Sequence, residues 1–588
     1  MPSKQLLDVA AGLAPADLVI VGGQLVNVYS GEIYEGGVAV SGDRIAAVGD
    51  VSYAIGEGTE VIDAAGLYIT PGFIDAHIHP ESSSFSIRQF AEIVLLHGTT
   101  SIVTDIHEVG VVAGQTGIAA VLEENATTGL NIYYVVPSHI PFSPNLETSG
   151  AIFNAEIIAD ALNHPQARGL SETVGEYIWR RTPDLLAAID ETLRHGYVVH
   201  GHLPHASTQA FNLAVAAGVT TDHEAISADD VLQRLRGGTY ALLRDGSAAR
   251  SLRDLLPVVL ESGLDTARVA IITDDINTTD LVDRGHLDEA VRTALSLGAS
   301  FIQAVQFVTI NPANASGVGH EVGGLAPGRR ADINLTTGPE DFKVVGTFAA
   351  GKRVAWQGQL AERYPVAEHH PALLKTVSLV EPVTAESIKF RVDPAARQAR
   401  ILVADVLPWI AITTGREAVL DVVDGVVQAD LEKDVLYIVQ VERHGKNGNI
   451  GRAFQGGFHL TRGAIGSSVG HDNHNIIVIG TNHEDIATAV NRIVELDGGQ
   501  VVVDGGEILA ESPFPVLGLL SDLPFEDLVV EKYRLNDAAK RIGSSIPDPF
   551  IFLSFISLAA IPEYAVTDHG FIDVARQEVI DPVLEVIK

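Results

Sequence analysis

In the stretch PGFIDAHIHPE, residues 71–81, an apolar run ends in His77 and His79 with one residue between them, and Glu81 stands two positions further on. Side chains of a strand alternate faces, so both imidazoles look into one space. A bare HxH is an ordinary structural pair, but this one has company. Glu172 closes ARGLSE, His200 and His202 close GYVVHGH, His223 and Glu224 close VTTDHE, and Asp274 and Asp275 close RVAIITDD. Each alone has a plainer reading: a Glu after a strand is often a helix cap, and a DD pair an N-cap with a first-turn acid. Taken in order along the chain they form a set of nitrogen and oxygen donors at strand ends, suited to divalent ions. The chain has no cysteine and a single methionine. Any metal site must therefore use His, Asp and Glu, which suit Zn, Mn or Fe.

Donors spread over two hundred residues need a scaffold that gathers strand ends. From Asp17 to Thr70, glycine-punctuated alternating segments (DLVIVGGQLVNV, GGVAVSGDRIAAVG, EVIDAAGLYIT) read as strands. From Pro71 short apolar strands alternate with helical stretches. TSIVTDIHE precedes a helix near residues 117–125, GYVVHGHLP precedes STQAFNLAVAAG, and VTTDHEAIS precedes ADDVLQRLRGG; NIYYVVPSH and RVAIITDD are further strands. About eight such units over about 250 residues predict a (β/α)8 barrel, whose chemistry sits at the C-terminal strand ends. GGLAPGRRADINL and VVGTFAAGKRVAWQG then return to the glycine-punctuated style. The expected division of this α/β chain is a first part of a small β-sandwich at 1–70, the barrel at 71–325 and the return of the sandwich at 326–368. A separate α+β domain follows at 369–588, beginning with strands and ending in a helix-rich apolar tail.

The whole chain constrains partners. Its 588 residues are 46% hydrophobic, enough for a large folded core. Against 75 acidic residues stand 39 basic ones, a formal charge of -36 that repels nucleic acid and anionic lipid. The N-terminus has no basic and apolar signal pattern. The most apolar late stretch, residues 549–562, is bounded by prolines and shorter than the ~20 residues that span a bilayer. A cytoplasmic protein that binds neither nucleic acid nor membrane is expected. SVGHDNHN, with His471, Asp472 and His474, is the densest polar cluster outside the barrel. It reads either as a tight loop satisfied by backbone or as a cover over the barrel mouth.

An HxH, a mid-barrel carboxylate, two later histidines and a final Asp resemble the ligand order of the amidohydrolase superfamily. PGFIDAHIHPESS, TSIVTDIHEVG, PSHIPFSPNLE, GLSE, GHLP, AAGVTTDHE, ITDD and DLVDRGHLDEAVR resemble its bacterial adenine deaminase family more closely. So do TRGAIGSSVGHDNHNIIVIGTN, AVNRIVELDGGQVVV and PVLGLLSD of the C-terminal half. Pro80 and Leu203 depart from the family pattern. The resemblance implies a binuclear centre of Mn²⁺ or Fe²⁺, or of Zn²⁺. Its ligands would be His77, His79, Glu172, His202, His223 and Asp274, with His200 a rival of His202. It implies hydrolysis of adenine to hypoxanthine and ammonia by a metal-bound hydroxide attacking C6, with Asp274 as base and then acid. Glu224 would either handle ring N1 or orient a ligand histidine. Glu81, His107, Glu108, Asp275, His471, Asp472 and His474 would line the pocket or orient ligands. A homo-oligomer, dimer or tetramer, is implied as well. The alternative is another amidohydrolase acting on a different heterocycle or cyclic amide. A silent scaffold should have lost ligands, and all six positions are filled.

Overall fold

The computed structural model describes residues 3–364, 368–407, 412–560 and 563–588. The last two residues of the apolar stretch, Ile561 and Pro562, lie outside these, as do residues 365–367 in the expected sandwich return. The centre is a barrel of eight strands: β1 (Phe73–Asp75), β2 (Thr99–Thr104), β3 (Asn131–Pro137), β4 (Ala167–Val174), β5 (Val198–His202), β6 (Val219–Asp222), β7 (Tyr240–Arg244) and β8 (Val269–Ile272). Every neighbouring pair is parallel. Such strands are covered on both faces and read as continuous apolar runs; β8, VAII, is buried at every position. The outer helices bury one stripe each. Pro183–Arg194 turns Leu185, Ala188, Ile189 and Thr192 inward, the i, i+3, i+4, i+7 spacing of one helical face. The seam between β1 and β8 closes just beyond the strand ends. There Asp274 N–H donates to His77 C=O at 3.1 Å, and His79 N–H donates to Asp274 C=O at 3.2 Å.

The two glycine-punctuated segments flanking the barrel pair directly. Ile333–Thr336 runs antiparallel to Tyr68–Pro71, with Asn334 opposite Thr70. One nine-stranded sheet results. It feeds the chain into β1 through Gly72, where a Cβ would lie 2.2 Å from Thr100 Oγ1. The C-terminal domain is built on a ten-stranded sheet. Its tail departs from the helix-rich expectation. After the helix Pro549–Phe555 come a hairpin, Tyr564–Thr567 with Gly570–Asp573, and the strand Val583–Ile587, which pairs with Gln398–Leu407. Gly570, at φ +131°, supplies the turn that a helical reading overlooks. No described helix is long and apolar enough to cross a membrane.

Polar contacts seat this domain on the barrel. The loop between the strands Ala464–Ser467 and Ile476–Gly480 reaches the segment after β3. Asn473 Nδ2 donates to Glu147 Oε2 at 3.2 Å, and Asn475 Nδ2 to Thr148 C=O at 2.9 Å. Lys446 Nζ donates to Ser149 C=O at 2.7 Å. Elsewhere on the junction His369 stands between Glu124 of the barrel, 2.9 Å from its Nδ1, and Asp522, 2.6 Å from its Nε2.

Candidate active site

The C-terminal rim of the barrel brings the six donors together around one atom. Glu172 Oε1 lies 3.6 Å from His77 Nε2, 3.7 Å from His79 Nε2, 3.6 Å from His202 Nδ1 and 3.7 Å from His223 Nε2. Asp274 Oδ1 lies 3.7 Å from both His77 Nε2 and His79 Nε2. These separations are too long for hydrogen bonds. They suit atoms that share an ion, since two ligands ~2.1 Å from one tetrahedral metal stand about 3.4 Å apart. His77 Nε2 and both ring nitrogens of His202 are buried without a hydrogen-bond partner, a cost that a cation would remove. Glu172 at φ +40° and Asp274 at φ +59° adopt left-handed backbone. A non-glycine residue persists there, at about 1–3 kcal/mol, only where its surroundings over-determine it. His200, two residues before His202, instead has its Nδ1 3.0 Å from Thr221 Oγ1 and joins none of the close donor groups.

Charge within the site is balanced rather than uniform. Burial, then the neighbouring His223 and His79, hold His77 well below the usual histidine range, which keeps its ring neutral with a lone pair to give. Burial also pulls His202 down, but the Glu224 and Glu172 carboxylates push it up to about 9. For His79 the carboxylates of Glu108 and Asp105 outweigh burial and hold it well above the usual range. Burial favours a protonated Glu172, yet the imidazoles of His202 and His79 hold it well below the usual carboxylate range.

Two contributors escape a search for metal ligands. Arg244 ends β7 and forks onto Glu224, with Nη1–Oε1 at 2.8 Å and Nη2–Oε2 at 3.3 Å; Nη1 also reaches Asp274 Oδ2 at 3.4 Å. The guanidinium and the His202 imidazole overcome burial and hold Glu224 well below the usual range. Its sequence signal is positional: TYALLR is an apolar run between the helix ADDVLQRLR and the strand RVAII, so its last residue falls on the same rim. Asp105 is the other, with Oδ1 3.4 Å from His79 Nδ1. The carboxylate faces the ring nitrogen of His79 that is turned away from Glu172.

Glu81, His107, Glu108 and His474 are buried; His107 Nδ1 lies 3.8 Å from Asp105 Oδ2, and Glu108, with Oε1 3.7 Å from His79 Nδ1, also lines the cavity above the donors. Glu108, His471 and His474 bring ligand-type atoms within 4.8 Å of one another. The Gly470 N–H donates to His474 Nδ1 at 3.4 Å, and His474 Nε2 is buried without a hydrogen-bond partner.

Above the donors opens a cavity of about 550 Å³. One wall holds His79, Glu172, His202, His223, Glu224, Arg244, Asp274 and Asp275. The other holds His471, Asp472, Phe555 and Leu558 of the C-terminal domain. The His471 and Phe555 rings stack, with centroids 4.7 Å apart and planes 15° apart. Burial opposes charge on His471, but Asp472, Asp275 and Glu108 push it up to about 9. Of the polar cluster, His471 and Asp472 thus line the cavity opposite the barrel donors. The cavity sets a polar wall of imidazoles, carboxylates and a guanidinium against a wall that includes the Phe555 and Leu558 side chains.

Residues 68–354 match the model of the amidohydrolase family, and residues 411–578 that of the adenine deaminase C-terminal domain. The chain is 38% identical to adenine deaminase 4 of Rhizobium meliloti, across 97% of its own length and 96% of that protein's. It is 36% identical to an adenine deaminase of Moorella thermoacetica, across 98% of both chains. With an adenine deaminase of Methanococcoides burtonii it shares 38% identity, again across 98% of both.

Proposed function

The chain belongs to the adenine deaminase family, and on that premise we propose that it hydrolyses adenine to hypoxanthine and ammonia at the divalent metal centre the family implies. The observation that carries this is the convergence of four imidazole nitrogens on Glu172 Oε1, at the floor of a cavity of about 550 Å³. In this reading His77, His79 and Asp274 would hold one ion, His202 and His223 a second, and Glu172 would stand between them. The donors are all nitrogen and oxygen, a set that suits Mn²⁺, Fe²⁺ or Zn²⁺. Bound there, such ions would lower the pKa of water to about 7 and so supply a nucleophile at neutral pH.

The remaining work belongs to side chains. Asp274 lies beside the two histidines of the seam and accepts the proton of the attacking water. It then returns that proton to the departing amine, acting as base and then acid. Water supplies two protons, the one that Asp274 carries to the amine and a second that ring N1 gains as C6 becomes tetrahedral. Glu224, kept ionised by the Arg244 fork, accepts the resulting N1–H hydrogen bond. Its Oε1 also lies 3.3 Å from His223 Nε2, so the same carboxylate steadies that ring. The C-terminal wall keeps bulk water off the ring face. The test is ammonia release from adenine by protein stripped of metal and reloaded with Mn²⁺, with adenosine and cytosine as controls. Turnover of adenine alone, abolished by stripping, is the expected result. Two bound ions without adenine turnover would keep the site and sink the substrate.

A further inference from the structure

Each set of donors is drawn from strands that adjoin in the barrel but lie apart in the chain, so something must fix the strand ends relative to one another. Beneath each set lies one fully buried carboxylate that bonds to both strand ends. Asp222 is the last residue of β6 and directly precedes His223. Its Oδ1 accepts the N–H of Leu203, the residue after His202, at 2.9 Å, and its Oδ2 accepts the N–H of Glu224 at 3.2 Å. Arg234, from the helix Ala228–Arg236, completes the grip. Its Nε donates to Asp222 Oδ2 at 2.8 Å and its Nη2 to the Leu203 carbonyl at 2.8 Å. Asp75 is the last residue of β1, two before His77. Its Oδ1 accepts the His77 N–H at 3.2 Å. Its Oδ2 accepts the N–H and the hydroxyl of Thr273, the residue before Asp274, at 3.1 and 2.6 Å. Here the supporting group is His286, with Nε2 3.3 Å from Asp75 Oδ2 and Nδ1 2.8 Å from Thr99 Oγ1.

Asp75, Asp222 and Arg234 are all at 0% exposure. A buried ion pair is a poor way to gain stability, because desolvation offsets the attraction and well-packed apolar residues serve as well. What a carboxylate provides and an apolar residue does not is a pair of acceptors that fixes two backbones in register. The hydrogen bonds of the two clusters involve no common residue. Resting on the two-ion reading above, we propose that Asp222 with Arg234 and Asp75 with His286 are independent clamps. The first would position the His202/His223 half of the metal centre, and the second the His77/His79/Asp274 half. These are positioning residues, with no contact to substrate.

The two halves should therefore come apart separately. Apo protein is titrated with Mn²⁺, counting bound equivalents by electron paramagnetic resonance and monitoring fold by circular dichroism. Arg234→Met and Asp222→Asn should each weaken one equivalent about 10- to 100-fold and leave the other at its wild-type affinity. His286→Gln and Asp75→Asn should do the same to the other equivalent. Ligand deletions assign which ion survives. His223→Ala added to Arg234→Met should leave the surviving equivalent untouched, and His79→Ala added to Arg234→Met should abolish it; the reverse should hold on a His286→Gln background. Arg234→Lys keeps the charge but loses the fork to Leu203, and should recover part of the lost affinity. Should Arg234→Met fail to fold, Arg234→Lys and Asp222→Asn carry the same comparison. Folded variants in which both equivalents weaken alike, or neither does, would overturn the proposal. Fewer than two equivalents in the wild type would instead sink the two-ion reading beneath it.

Discussion

At the scale of single residues, Glu172 Oε1 is the atom on which the site turns. Its neighbours divide into groups that the sequence announces and groups that it hides. His77, His79, His202, His223 and Asp274 are legible because their types are those of metal donors and because each ends an apolar run. Arg244 and Asp105 are not, because they act on the donors and their neighbours across space. Two substitutions separate these levels. Asp274→Asn keeps an oxygen near the seam histidines but removes the proton carrier, and adenine turnover should fall about 10²- to 10⁴-fold in an ammonia assay. Arg244→Met leaves Glu224 buried without its cation, and activity should fall about 10- to 100-fold, with Arg244→Lys recovering part of the loss. An unchanged rate in Arg244→Met would show that the fork is dispensable.

At the scale of elements, most of the strand–helix units are readable because a parallel barrel imposes short apolar runs at regular intervals. The end of the chain was less so. Its apolar helix Pro549–Phe555 resembles the start of a helical tail, and the hairpin that follows depends on one glycine conformation. That hairpin packs closely on its neighbours: a Cβ on Gly451 would lie 1.7 Å from the Thr567 carbonyl oxygen. Gly451→Ala should therefore lower stability by about 1–3 kcal/mol in chemical denaturation, because backbone must move to admit it. The junction between barrel and C-terminal domain should respond to pH. The carboxylates of Asp522 and Glu124 raise His369 to about 9. A raised imidazole stabilises fully below its unfolded pKa, near 6.5, and the contribution is lost as pH climbs through the folded value. His369→Gln should lower Tm at pH 6 and match the wild type above pH 10. A difference that persists at high pH would assign the role to packing rather than charge.

At the scale of the whole molecule, the donors come from β4 and β5 and from the segments after β1, β6 and β8, so bound ions would tie the barrel around its circumference. Chelation should lower Tm, and Mn²⁺ at 100 times its Kd should restore about 2.7 kcal/mol per site. A Tm indifferent to chelation would mean that the barrel is fixed without them. The seam between β1 and β8 also has a consequence in time. Glu172, His202 and His223 leave the ribosome before β8 exists, so none of them waits on the last strand to be made. His77 and His79 are made first of all, yet they wait for Asp274, and meet it only when the last strand closes the circle. Filling that half thus requires a closed barrel, though not a finished chain: a truncated product ending before β8 would carry both histidines and still lack the place to use them.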